Sequence, residues 1–347
     1  MNYTAIVFED GFTEGLAINQ YVVSGKGSID SVMNLMHAVW KTKEMTDMIE
    51  WMRTYNQTAP AEKKIRFYGM DLIDPNLPDS LQMYFDKYAP EMAANVNQIL
   101  SGFNTISNDS FITMEPKYKS IRDFLSKNKN SLVKKSGEEM FSHAFIESQM
   151  LLEQVAMANA GEQSPRVRDS SMALNTQMIL NFQKSGSRVV VWAHNGHVGA
   201  GGEEVHAKQT GYYLKHLLGD KYYSVGFFFD HGSFNALKYK AGEPLSAANP
   251  SDESKFRDFS VPAAPQENIE HYFVSANLPM FFLDLRATNK PAAVTDWMNR
   301  LQVARSISTR YDDVGFMTFS EDPVLLKTDY DGIFFIEKTT ASMRRGK

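Results

Sequence analysis

The chain has 347 residues, 43% of them hydrophobic, 12% aromatic and 22% charged, with a formal net charge of −5, a composition that supports a globular core. It has no Lys/Arg-rich block, which excludes nucleic acid and anionic membrane surfaces as expected partners, and no cysteine, which excludes disulfides, thiolate nucleophiles and Cys-ligated metals. No apolar run approaches the roughly 18 residues of a membrane span and MNYTAIVFED has no secretory pattern, so a cytoplasmic location is expected; a monomer is the working expectation.

The first predicted strand is Tyr3–Glu9 (YTAIVFE). An amphipathic helix follows around Met45, Met48, Ile49, Met52 and Tyr55, whose methionines read as core filler. The second strand is Ile65–Met70. Residues 78–160 hold no convincing strand; Tyr84, Phe85, Tyr88, Ile121, Phe124, Leu125, Phe141, Phe145, Leu152 and Val155 suggest several helices with polar faces. Ser164-Pro165 opens another helix, with Ser164 as N-cap, Pro165 at the first helical position and Gly186 past its end. Its apolar side is Val167, Met172, Leu174, Met178, Ile179 and Phe182. Further strands are expected at Arg188–Ala193, Tyr222–Phe229, Pro279–Leu285 and Gly332–Glu337. Ala241–Asn268, with four prolines, reads as a long surface excursion.

Continuous rather than alternating hydrophobicity in these strands indicates coverage on both faces. The expected fold is therefore α/β, a mostly parallel sheet flanked by helices, with an all-helical insertion over one end. Residues 1–77 and 161–347 would form the core and 78–160 the insertion.

Ligands of open parallel sheets bind beyond the carboxyl ends of the strands. Glu9-Asp10, Asp71, His194-Asn195-Gly196-His197, Asp230-His231 and Asp284-Leu285-Arg286 all follow predicted strands, so one polar centre is the economical reading. Each has a plainer one. An acid after a strand ordinarily caps the next helix, which covers Asp10 and Asp71. Asp284 and Arg286 could be a local ion pair, and Asp230-His231 before Gly232 looks like turn chemistry. Two loop histidines alone say little; a buried strand before them and glycines after them, which let a ligand approach the backbone, favour function. Two histidines and a glutamate can activate water by general-base catalysis, or hold a divalent metal such as zinc through Glu9, His194 and His197. A nucleophile elbow, H-E-x-x-H, a Walker loop and an intact G-x-G-x-x-G are all missing, against a serine esterase or a nicotinamide enzyme.

VFEDGFTEGLAINQYV from Val7, WKTKEMTDMIEWMRTYNQ from Trp40, FYGMDL from Phe67, RDSSMALN from Arg168, VVVWAHNGHV from Val189, TGYYLKHLLGDKYYSVGFFF from Thr210, FFLDLR from Phe281 and YDGIFFIEKTTAS from Tyr330 together resemble the erythromycin esterase family, which includes succinoglycan-biosynthesis-like proteins. The resemblance implies hydrolysis of a cyclic ester, a macrolide lactone, by water activated within a His/Glu cluster and without a cofactor. Matched position by position, the cluster is Glu9, His194 and His197, with Asp71 and Arg168 in supporting or substrate-contacting roles; Arg286 is a further candidate from its strand end. Family members also carry a G-E-x-x-H-G segment, with the usual general base, upstream of the strand that begins this sequence. It is not found here, and His37 lies in no such motif. The resemblance thus implies an ester hydrolase of this type, with a metal-dependent hydrolase or a truncated binding protein as the rivals.

Overall fold

The computed structural model describes residues 2–202, 208–239, 253–312 and 321–345. Two compact units emerge, one of residues 1–32 and 52–192, the other of residues 33–51 and 193–347.

In the first unit, β1 (Tyr3–Gly11) lies between β2 (Arg66–Asp71) and β3 (Arg188–Trp192), and both pairings are parallel. Ile6 faces Phe67 on one side and Val190 on the other, and Ala5, Val7, Phe8, Phe67 and Tyr68 are buried. The following helix, α1 (Phe12–Ser24), crosses β2 so closely that a Cβ on Gly15 would lie 2.0 Å from the Gly69 nitrogen. Glycine is required at that crossing.

After α2 (Ile29–Leu35) and α3 (Lys43–Thr58), the region expected to be helical contains only helices: α4 (Leu77–Tyr88), α5 (Pro90–Leu100), α6 (Asn108–Ile112), α7 (Glu115–Lys127), α8 (Lys129–Ser136) and α9 (Glu138–Asn159). α10 (Ser164–Phe182) then leads to β3. Its start differs by one residue from the expected one. Gln163 occupies the N-cap, and the Ser164 hydroxyl turns back to donate to the carbonyls of Met157 and Gly161 at 2.9 and 2.6 Å. Its buried side is more polar than expected as well. Asp169, Asn175 and Thr176 are buried beside Met172 and Ile179, because Asn175 Nδ2 donates to the Met70 carbonyl and to Glu153 Oε2, each at 3.1 Å.

The larger part of the second unit follows β3 and opens with α11 (Asn195–Val198) and α12 (Thr210–Leu218). Its main sheet contains β4 (Val225–Tyr239), β5 (Phe256–Val261), β6 (Met280–Asp284), β8 (Arg310–Asp312) and β10 (Gly332–Thr339), in the order β5-β4-β10-β6 with β8 also on β4. β7 (Gln302–Arg305) and β9 (Glu321–Val324) form an antiparallel pair, and α13 (Ile269–Val274) packs in the core. β4 and β10 are parallel, whereas β5 and β6 run antiparallel to their neighbours. Three differences from the sequence reading follow. β4 continues past the expected Phe229. Gly232 is no turn: its φ of 126° sits where a Cβ would meet the Thr339 carbonyl oxygen at 2.2 Å, letting β4 pass β10. The excursion Ala241–Asn268 lies partly outside the described residues, but its later part supplies β5, whose Phe256, Phe259 and Val261 are buried.

One face of this sheet is packed, with Phe228, Ile333 and Phe335 against Ile269, Phe273 and Leu326. The opposite face carries Phe227, Phe334 and Phe282 in register across three strands, with ring centroids 5.2 and 4.9 Å apart. All three are exposed.

Candidate functional site

In the first unit, Phe8 of β1 pairs with Trp192, the last residue of β3, and Glu9 comes next in β1. Arg168, from the second turn of α10, reaches the carboxyl ends of β1 and β2. Its Nε donates to both Asp71 oxygens at 3.1 Å, and its Nη2 donates to Asp71 Oδ2 at 2.5 Å and to Glu9 Oε1 at 3.1 Å. Asp71 is 1% exposed, Arg168 22% and Glu9 17%. Burial alone would disfavour the guanidinium charge, but Asp71 and then Glu9 outweigh it and raise the Arg168 pKa above its ordinary value. The structure thus brings three of the expected residues together, with Arg168 as the cation between two carboxylates.

The plain readings of Asp10 and Asp71 as caps do not hold. Asp10 accepts from the Gly11 N–H, and Asp71 Oδ1 from the Ile73 N–H, in addition to Arg168. The residue that caps α1 is Asp74, from the loop after β2. Its carboxylate accepts the Thr13 N–H and the Thr13 hydroxyl, each at 2.7 Å, while Asn76 Nδ2 bonds Glu14 Oε1 at 3.0 Å. Burial raises the Asp74 pKa, the Thr13 and Asn76 bonds oppose that, and the nearby Asp71 charge adds to it. No short-range pattern flags a cap that comes from 61 residues away.

In the second unit, the two histidines sit on the short turn after β3. His194 is the N-cap of α11: its Nδ1 accepts the Gly196 N–H at 3.0 Å, and its Nε2 lies 2.8 Å from the Ile307 carbonyl. Asn195, given no role of its own in the sequence, donates from Nδ2 to the Phe227 carbonyl at 2.7 Å and accepts the Phe227 N–H at 3.0 Å. His197 lies on the same turn, half-buried, with its N–H on the His194 carbonyl at 2.8 Å.

The glycines that follow are not an open approach. A Cβ on Gly201 would strike Asp329 Oδ1 at 1.8 Å, and one on Gly199 would meet Gln209 Oε1 at 2.8 Å. They are small because neighbouring side chains fill the space. A small open groove adjoins this turn, lined by residues that include Asn195, Gly196, Arg305 and Tyr330.

Arg286 and Asp284 fall elsewhere. Because β6 is antiparallel to β10, its carboxyl end lies at the amino-terminal edge of β4 and β10, so the expectation that this strand end joins the others is corrected. Arg286 forks onto Asp331, with Nε to Oδ1 at 2.6 Å and Nη2 to Oδ2 at 2.8 Å, and bonds the Tyr222 carbonyl. Burial would raise the Asp331 pKa, but the Arg286 bonds and the Ser224 N–H prevail and lower it. Asp230-His231 lies within β4. The buried Asp230 accepts the Ala264 N–H at 3.0 Å and lies 2.9 Å from His231 Nδ1. Among the described residues, no group of three or more His, Asp or Glu side chains is arranged to hold a metal ion.

Residues 1–339 match the erythromycin esterase family. The chain is 22% identical to YbfO of Bacillus subtilis, a protein named provisionally as a hydrolase, over 99% of this chain and 78% of that one. A solved structure of a Bacillus cereus protein superimposes with a TM-score of 0.83 at 21% identity, covering 99% of this chain and 82% of the other. A solved succinoglycan biosynthesis protein does so with a TM-score of 0.81 at 20% identity and the same coverages.

Proposed function

The chain belongs to the erythromycin esterase family, and from that premise we propose that it is an ester hydrolase that adds water directly to a carboxylic ester, with a macrolide lactone as the first substrate to test. Glu9, His194 and His197 are the residues we propose to carry the chemistry, with Asp71 and Arg168 behind Glu9. The observation that carries this reading is the Arg168 fork, which holds the Glu9 carboxylate at the carboxyl end of β1, next to the strand whose end leads into the two histidines. A carboxylate paired with an arginine suits stabilisation of a base that becomes positively charged.

In the reaction, water attacks the acyl carbon and gives up a proton to a group of the centre. The carbon–oxygen bond to the alcohol then breaks, and the departing oxygen takes a proton. A lactone opens to a hydroxy acid, one water heavier. A small-molecule ester is the only partner the reaction needs, and the proposed active species is a monomer without a cofactor. No described helix is long and apolar enough to cross a membrane.

The test is incubation with macrolide lactones and simpler cyclic and linear esters, followed by mass spectrometry. Addition of one water to a lactone supports the proposal, and turnover of simple esters alone moves the substrate class. No addition to any ester by the folded protein overturns it.

A further inference from the structure

The turn that carries both histidines is tied down at more points than its length requires. Gly196 N–H donates to His194 Nδ1, so that nitrogen holds a lone pair. A carbonyl oxygen can only accept, so His194 Nε2, 2.8 Å from the Ile307 carbonyl, carries the ring proton. The ring is therefore the neutral Nε2–H tautomer, and its lone pair is already used by the backbone. A general base must offer a lone pair to water. To do so His194 would have to give up its cap, and a proton on Nδ1 would set two N–H groups against each other.

Asn195 makes the second anchor. Its carboxamide pairs with both the N–H and the carbonyl of Phe227 in β4, at 3.0 and 2.7 Å, as a neighbouring strand residue would. A donor and an acceptor at that spacing are both needed; aspartate keeps the acceptor but turns a charged oxygen toward the Phe227 carbonyl. At the far end of the turn, the Tyr222 and Ser224 hydroxyls both donate to the Val198 carbonyl, at 2.7 and 2.6 Å. His197 sits between these anchors.

Resting on the hydrolytic reading above, we infer that His194 and Asn195 are positioning residues, which lock the turn bearing His197 onto β4 and onto the loop after β7, and that the proton of the attacking water goes to a group other than His194. A site held by backbone bonds on both flanks is the kind of support that keeps a reacting group in place. The same two bonds leave His194 without a lone pair for a metal ion.

The first test is independent of activity. Histidine-ring nitrogen NMR of the full chain, with the His194 signals identified by their loss in His194→Asn, should show protonated Nε2 and bare Nδ1 at neutral pH. A ring protonated on Nδ1, or exchanging between tautomers, would overturn the inference. The second test is kinetic. His194→Asn keeps a side-chain acceptor for the cap, and with Asn195→Asp it should lower kcat about tenfold to a hundredfold. The shape of the pH–rate profile should be kept. Loss of the acid limb in His194→Asn, or an unchanged kcat in both variants, contradicts the assignment. Wild-type protein inactive on every ester would end the hydrolytic reading, and the NMR result would still decide how the His194 ring is used.

Discussion

Arg168 is the residue on which the Glu9–Asp71 cluster depends. Asp71 is almost fully buried beside it, and removing one partner of a buried ion pair leaves an uncompensated charge. Arg168→Met should therefore destabilise the protein by about 3 kcal/mol, measured by urea unfolding, and Arg168→Lys should recover only part of this because an ammonium cannot fork. Equal stability of wild type and Arg168→Met would show that the fork is solvated rather than structural. Glu147, on α9, makes a different prediction. It is buried with the Ser80 hydroxyl donating to it at 2.5 Å, and burial pushes its pKa up to about 8 from an ordinary 4.5. A raised carboxyl pKa means the folded state holds a proton that the unfolded chain releases, so this contribution is fully present below about pH 4.5 and is lost as pH rises to about 8. Glu147→Gln should match wild type near pH 4 and exceed its Tm by roughly 5 °C near pH 9. A Tm difference that does not change with pH would contradict the shifted ionisation.

Much at the element scale was legible because apolar runs and helical periodicity are local signals. All six predicted strands are present, the stretch 78–160 is helical, and α3 is centred on buried Ile49 and Met52. What was not legible depends on partners distant in sequence. The direction of β6 cannot be read from MFFLD, since an apolar run looks the same in either orientation, and that direction moved Arg286 to the other edge. Gly199 and Gly201 read as an opening, yet Gln209 and Asp329 occupy the space. Asn195 carried no signal apart from its place between two histidines, although its two bonds to Phe227 make it the brace of the turn. Glu9, Asp71 and Arg168 were each identified in the sequence, but the fork that joins them became visible only when α10 was placed over the ends of β1 and β2.

At the scale of the whole molecule, the family match spans residues 1–339 and the fold matches solved relatives over 99% of the chain, so the architecture is secure where the substrate is a proposal. One feature of the second unit sets it apart from ordinary covered sheets. β6 ends the main sheet, and its Met280, Phe282 and Leu283 are 65%, 47% and 38% exposed, beside exposed Phe334. An apolar edge strand of this kind promotes association. Combining Met280→Lys with Phe282→Thr should reduce light scattering and binding of hydrophobic dyes, with a Tm change of no more than about 3 °C. Undiminished dye binding would place the sticky surface elsewhere.

Glu9 is proposed to belong to a centre that hydrolyses esters. The most direct measurement compares the rate of ester hydrolysis by wild type and Glu9→Gln, side by side, with circular dichroism as a check on folding. A fall of about a hundredfold or more in a folded variant is the predicted result. Equal rates in the two proteins would remove Glu9 from the centre.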